Sequence, residues 1–262
     1  MKNCILLFCF TLLGVSSAFA QTADSKDKKS NQPQKVAAQT TIAKTVLIKP
    51  DSTPLELVKA ALQAHGGDKF KTMKSLTEIG SADVSAPGST QSLSVGFKLI
   101  TAGEKFRFEI NAPFGNLQQV YDGQNLSSTS SFGNAADIPP LSKLGINLLN
   151  KAEEKGYTVS ALPDKKKRRG FRIATPDGYA TDFYLDATTG LVMSYEAKFT
   201  VRDREVSTAV EHDKFREVEG VLIPEKFSQR FDIGSNTFYA SFKAKEILVN
   251  TIIADDVFLA PQ

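Results

Sequence analysis

After about residue 75 the apolar residues of this chain recur with a period of two, and that alternation limits the fold more than any other feature. Leu93, Val95, Phe97 and Leu99 share one parity, as do Phe106, Phe108 and Ile110. The same holds for Met193, Tyr195, Ala197, Phe199 and Val201, and for Phe238, Ala240, Phe242 and Ala244. The residues between them are mostly Ser, Lys, Glu, Arg or Thr. Successive side chains of a strand point to opposite sides, so this pattern predicts antiparallel strands with one apolar and one wet face. Turn signals fall between the runs: Ala102-Gly103, Asp122-Gly123, Asp177-Gly178, Thr189-Gly190, Arg202-Asp203, Glu219-Gly220 and Gly234-Ser235. Their spacing predicts about nine to eleven strands in a meander.

Helical period is confined to two places. Thr53 fits as an N-cap, Pro54 as the first helical residue and Glu56 as the close of a capping box, with Gly66-Gly67 as the stop. Leu55, Val58 and Leu62 give that helix one apolar stripe. The segment 138–156 opens on the double proline Pro139-Pro140 and then carries Leu141, Leu144, Leu148 and Leu149 at helical spacing, so a short helix is expected to cross the sheet there, weakened by Gly145. A mainly β (α+β) fold with so many strands has a wide apolar face, and one good helix and one weak one cannot cover it all. Either the sheet curls on itself or part of that face borders a cavity.

The ends have a different character. Residues 1–20 combine Lys2, an apolar stretch from Ile5 to Leu13 and the small-x-small ending Ala18-Phe19-Ala20, the pattern of a cleaved secretory signal peptide. Gln21 would follow the cut, where a lipidated protein needs cysteine. The expectation is therefore an exported, periplasmic, non-lipidated protein. Residues 21–50 hold no aromatic and no glycine, so a disordered tether is expected, with "TVLIKP" as a possible edge strand, before one domain over 51–262. Removing Lys2 leaves 31 basic against 29 acidic residues, a balance that gives no general attraction to nucleic acid.

Cys4 and Cys9 lie in the leader, so thiolate chemistry and cysteine-ligated metals leave with it. The Gly-x-Ser-x-Gly, His-Glu-x-x-His and P-loop patterns are absent from the sequence. His65 falls at the end of the first helix, where it can interact with the helix dipole. Glu211-His212-Asp213 cannot converge on one ligand, because on a strand the histidine points away from the two acids. Two histidines without cysteine make a poor zinc site. No catalytic residue, cofactor or metal is expected. Lys165, Lys166, Lys167, Arg168 and Arg169 form a basic run at a hairpin tip, read as a solvated loop or as a contact for anionic headgroups or an acidic partner.

The stretch "GFKLITAGEKFRFEINAPFGNLQQVYDGQNLSS" resembles the signature of the LolA/LolB-like superfamily of periplasmic lipoprotein carriers, through Phe106, Phe108, Pro113 and Asp122-Gly123. "ADDVFLAPQ" at 254–262 is similar to that family's closing Asp-x-x-Phe element, and "LDATTGLVMSYEAKF" resembles a hairpin of the wider superfamily, including RseB-like sensors. Where the carriers have Arg-Pro before the aromatic strand, with the arginine pinning a helical lid, this chain has Ala102-Gly103, and it has no tryptophan.

The resemblance implies an open antiparallel half-barrel, with helices over an apolar concave face that accepts acyl chains. Phe97, Leu99, Phe106, Phe108, Ile110, Tyr195, Phe199, Phe238 and Phe242 would then line the cavity, with Leu144 and Leu148 in the lid. The partner would be a lipid acyl chain or lipoprotein. Two other readings of the same residues remain: a sensor or interaction module for a membrane-surface or envelope partner, and a sheet whose core is wholly self-filled.

Overall fold

Twelve antiparallel strands form one sheet, and its order explains every other element. A computed structural model describes residues 46, 48–85, 91–131, 143–165, 167–201 and 204–260. The expected signal peptide, nearly all of the tether, residues 138–142, Lys166 and the Arg202-Asp203 turn lie outside the described residues. The strands are β1 (Ser75–Ser85), β2 (Ser92–Ala102), β3 (Lys105–Ala112), β4 (Gly115–Tyr121), β5 (Leu126–Ser130), β6 (Thr158–Lys165), β7 (Arg168–Ala174), β8 (Ala180–Asp186), β9 (Val192–Val201), β10 (Arg204–Val218), β11 (Val221–Ile233) and β12 (Asn236–Val249). Across the sheet they run β5-β4-β3-β2-β1-β12-β11-β10-β9-β8-β7-β6, and the sheet stays open. Two meanders, β1 to β5 and β6 to β12, are joined where the first strand pairs with the last. Leu76 lies opposite Val249 and Ser85 opposite Tyr239.

The count exceeds the expected nine to eleven by one, and the two edge strands carry little alternation. β5 reads LSSTS and β6 reads TVSALPDK. Polar, proline-bearing edges of this kind discourage further pairing. Of "TVLIKP" the described residues Val46 and Ile48 to Pro50 form no strand, and Ile48 packs on the core; Thr45 and Leu47 lie outside the described residues.

The first helix forms as its punctuation demands. In α1 (Pro54–Ala64) Glu56 N–H donates to Thr53 Oγ1 and Thr53 N–H donates to Glu56 Oε2 at 2.7 Å, a complete capping box. At the other end Gly67 N–H donates to the Leu62 carbonyl and Gly66 N–H to that of Gln63, the double bond of a Schellman stop. The buried stripe is Leu57, Val58, Ala61 and Leu62; Leu55, expected in it, is only half-buried. That stripe packs with Phe171, Ile173, Phe183 and Leu185 of β7 and β8, covering one half of the inner face. A four-residue helix α2 (Asp68–Lys71) buries Phe70.

The second expected helix differs in kind. Gly145–Lys151 is a 3-10 helix, and Gly145 opens it with φ of +70° instead of weakening its middle. A Cβ at that glycine would come within 3.0 Å of the Tyr195 ring, so the crossing backbone sits directly on the aromatic. A second 3-10 helix, Asp255–Phe258, lies on the outer face, where Phe258 packs with Ile100 and Val120.

His65 ties the helix end to the sheet. It is fully buried: its Nδ1–H donates to the Leu222 carbonyl at 2.8 Å, and its Nε2 accepts from Val192 N–H at 3.2 Å. Desolvation holds its pKa down at about 4. The ring is therefore neutral at ordinary pH, and the expected charge–dipole role gives way to a hydrogen-bonded strap.

Gly80 marks the seam between the two meanders, where the β1–β12 register shifts. A Cβ there would stand 2.1 Å from the Lys243 carbonyl oxygen and 2.7 Å from the Phe97 ring. Gly80→Ala should therefore cost about 2–3 kcal/mol in urea denaturation, as an overpacked site does. At Gly96 the nearest atom would be 3.8 Å away, so Gly96→Ala should stay within about 1 kcal/mol. Equal costs at the two glycines would show that the seam is not closely packed.

Candidate functional site

Between the uncovered half of the inner face and the crossing segment lies a cavity of about 210 Å³. Its floor comes from β1 to β4 and from β9 to β12, and Leu144 to Asn147 form its roof. Of the nine residues expected to line it, Phe97, Leu99, Phe106, Phe108, Tyr195, Phe199 and Phe242 do so. Ile110 instead packs against the main core, and Phe238 stands opposite Phe231 without reaching the lining. Phe70, Phe227 and Phe231 were not expected there and complete the aromatic wall. Phe227 stacks on Phe242 at 4.7 Å, and Phe97 meets Phe242 edge-on at 5.3 Å.

The two expected lid residues separate. Leu144 reaches the cavity and packs with Ala197, Phe199 and Val206. Leu148 is fully buried in the main core and does not reach it. Ion pairs at the surface hold the crossing segment: Lys143 with Asp177, Lys151 with Glu104, and Lys59 of α1 with Glu153 at 3.2 Å. Glu104 belongs to the same turn as Ala102-Gly103. That turn thus grips the roof through an acid, with the basic partner on the roof itself. Each such exposed pair is worth about 1 kcal/mol or less, so the roof is held lightly at its rim.

Polar groups interrupt the apolar wall. Glu78 of β1 faces inward with Leu76 and is 7% exposed, and burial raises its pKa to about 7. His212 lines the cavity, with its Nδ1–H donating to the Val192 carbonyl at 2.7 Å and desolvation lowering its pKa. As alternation requires, Glu211 and Asp213 point outward, away from it. Val192 is thus held on both sides, its N–H by His65 and its carbonyl by His212. Burial raises the Tyr195 phenol, and the Glu78 charge adds to that. Gln229 Nε2–H donates to Thr208 Oγ1 at 3.0 Å. Among the described residues no cluster of His, Cys, Asp or Glu could hold a metal ion, and no helix is long and apolar enough to cross a membrane.

The basic run sits at the β6–β7 hairpin as expected, yet most of it is engaged within the chain. Lys165 pairs with Glu196 at 2.9 Å and lies over the Tyr184 ring. Arg168 pairs with Glu211 at 2.6 Å, and Arg169 with Asp164 at 3.1 Å and with the Lys49 carbonyl. Lys167 is exposed at the tip with φ of +68°.

Sequence reasoning passed over Glu78, although a signal was present. It shares the parity of Leu76, Ala82 and Val84 in "SLTEIGSADVS", so alternation alone places a carboxyl on the apolar face.

Comparison with solved structures finds the same architecture. A DUF1329 family protein from Desulfovibrio piger superposes with a TM-score of 0.52 at 10% identity, over 79% of this chain and 98% of that one. A LolA superfamily protein from Nitrosomonas europaea superposes with a TM-score of 0.51 at 10% identity, with the same coverage of both chains. No protein-family model and no curated protein matches the sequence. The chain has the LolA-like fold.

Because the carboxyl of Glu78 has a raised native pKa, the folded state keeps a proton that the unfolded state has released. Stability is therefore lost as pH rises from about 4.5 through about 7, by up to about 3 kcal/mol. Glu78→Gln removes this term and leaves the contributions of His65 and His212 in place. Its stability relative to the native chain should rise by that amount between about pH 4 and about pH 8 in paired denaturation curves. An offset that does not change with pH would mean that Glu78 is hydrated.

Proposed function

We propose that this chain is an exported binding protein that takes one acyl chain, free or attached to a lipidated protein, into the cavity under the crossing segment and shields it from water. The observation that carries the reading is the aromatic cavity itself. Among the described residues α1, the end of α2 and the crossing segment cover the inner face, and they leave about 210 Å³ unfilled beside eight phenylalanines. Burying apolar area contributes roughly 25 cal/mol per Å², so a slender chain needs no catalytic group to be held there. The volume lies below the roughly 300–1,000 Å³ usual for small-molecule pockets, which favours a single chain over a bulky ligand.

The leader-like first twenty residues support export to the periplasm, and Gln21 supports release without a lipid anchor. The roof supports a carrier more than a store. It is pinned ahead of Gly145 by the surface pair Lys143–Asp177 and contains that glycine, features that permit it to lift without disturbing Leu148 in the core. No residue is given a catalytic role. The basic hairpin is left out of the binding surface, since Lys165, Arg168 and Arg169 already have acidic partners.

Native mass spectrometry of the protein purified gently from the periplasm, with organic extraction of the same sample, should find one acyl-bearing molecule per chain. Phe108→Glu places a carboxylate in the aromatic wall and should lower uptake of a fluorescent fatty acyl probe by about tenfold or more, with the fold intact by circular dichroism. A bare mass together with no probe uptake by the native chain would overturn the reading.

A further inference from the structure

Two polar groups of the cavity wall have no hydrogen-bond partner among the described residues. Glu78 is over nine-tenths buried, and no hydrogen bond or ion pair reaches its carboxyl among the described residues. The lining includes no lysine and no arginine. His212 gives its Nδ1–H to the Val192 carbonyl, so in the neutral ring Nε2 keeps a lone pair, and no hydrogen bond reaches Nε2 among the described residues. The His212 ring lies against Tyr195, Phe215 and Phe227, with centroids 5.8, 5.6 and 6.3 Å away. Tyr195 is the common neighbour, since its hydroxyl also feels the charge of Glu78, and no hydrogen bond joins the two.

A hydrocarbon tail answers none of this. Burial disfavours the ionised form of Glu78, which has no cationic partner, and a largely buried ring nitrogen left without a donor is unfavourable as well. A ligand whose polar end brings positive charge and N–H donors would satisfy both groups. One ending in a carboxylate would set like charges side by side once Glu78 is ionised. Resting on the acyl-chain reading above, we infer that the ligand is a single-chain amphiphile with an amine at its polar end, which docks at Glu78 beside His212 and Tyr195 while the chain lies along Phe97, Phe108 and Phe242.

The test compares dodecylamine, dodecanol and dodecanoate, of equal chain length and below their micelle concentrations, as displacers of a bound fluorescent probe at neutral pH. The native mature chain should bind the amine about tenfold or more tighter than the acid, with the alcohol between them. The slight positive balance of that chain would by itself favour the acid, so the bulk field cannot produce this order. Glu78→Gln should bring amine and acid to within about threefold by removing the amine's advantage. An acid bound as tightly as the amine by the native chain, or a preference that persists in Glu78→Gln, would overturn the inference and leave the acyl-chain reading standing. Failure of all three to displace the probe from the native chain would overturn both. Should Glu78→Gln not fold, the order of the three ligands on the native chain decides the matter.

Discussion

The structure depends on one topological constraint: β5 and β6 are neighbours in sequence and occupy opposite edges of a twelve-stranded sheet. At about 4.8 Å per strand those edges are roughly 50 Å apart along the sheet. The chain between Ser130 and Thr158 joins those edges, and Leu144 to Asn147 of it lie over the inner face. A roof is therefore a consequence of strand order, before any ligand is considered. Gly145 then sets how low the roof sits, because only a residue without a side chain lets the backbone rest on Tyr195. Leu148 and Leu149 root the far end of the crossing in the core, and Lys143 and Lys151 tether it at the rim.

The inner face is divided by how much cover the chain provides. Over β7 and β8 the stripe of α1 interdigitates with Phe171, Ile173, Phe183 and Leu185, all fully buried. Over β1 to β4 and β9 to β12 the covers among the described residues are the thin crossing segment and the end of α2, which supplies Phe70. The boundary between the dry half and the hollow half is Val192, gripped by His65 from the helix side and by His212 from the cavity side. Two neutral imidazoles thus fix the strand that separates core from cavity, which is a structural use for both histidines of the chain.

Much of this was legible in the sequence. The alternation gave the antiparallel sheet, the Thr53–Glu56 box and Gly66-Gly67 bounded α1 correctly, and seven of nine aromatic or aliphatic candidates reached the cavity because parity alone decides which face a side chain takes. What was not legible has specific causes. The strand count was placed one short because the edge strands β5 and β6 show little alternation, so turns rather than apolar runs mark them. Ile110 and Phe238 have the right parity but sit too far along their strands, and distance along a strand from a roof elsewhere in the chain leaves no local mark. Phe227 and Phe231 come from β11, a strand whose apolar positions are interrupted by Gln229 and Pro224. The His65 strap could not be foreseen, since its partners are more than a hundred residues away in sequence.

Pairing the first strand with the last also sets an order of events for the chain. β1 to β5 can form early as a local meander, yet β1 keeps a bare inner edge until β12 has emerged, and loop closure over such a separation is slow. Through that interval the chain presents an unpaired strand beside a wet apolar surface, the combination most prone to join with other chains. A protein built this way is complete only when its final strand arrives.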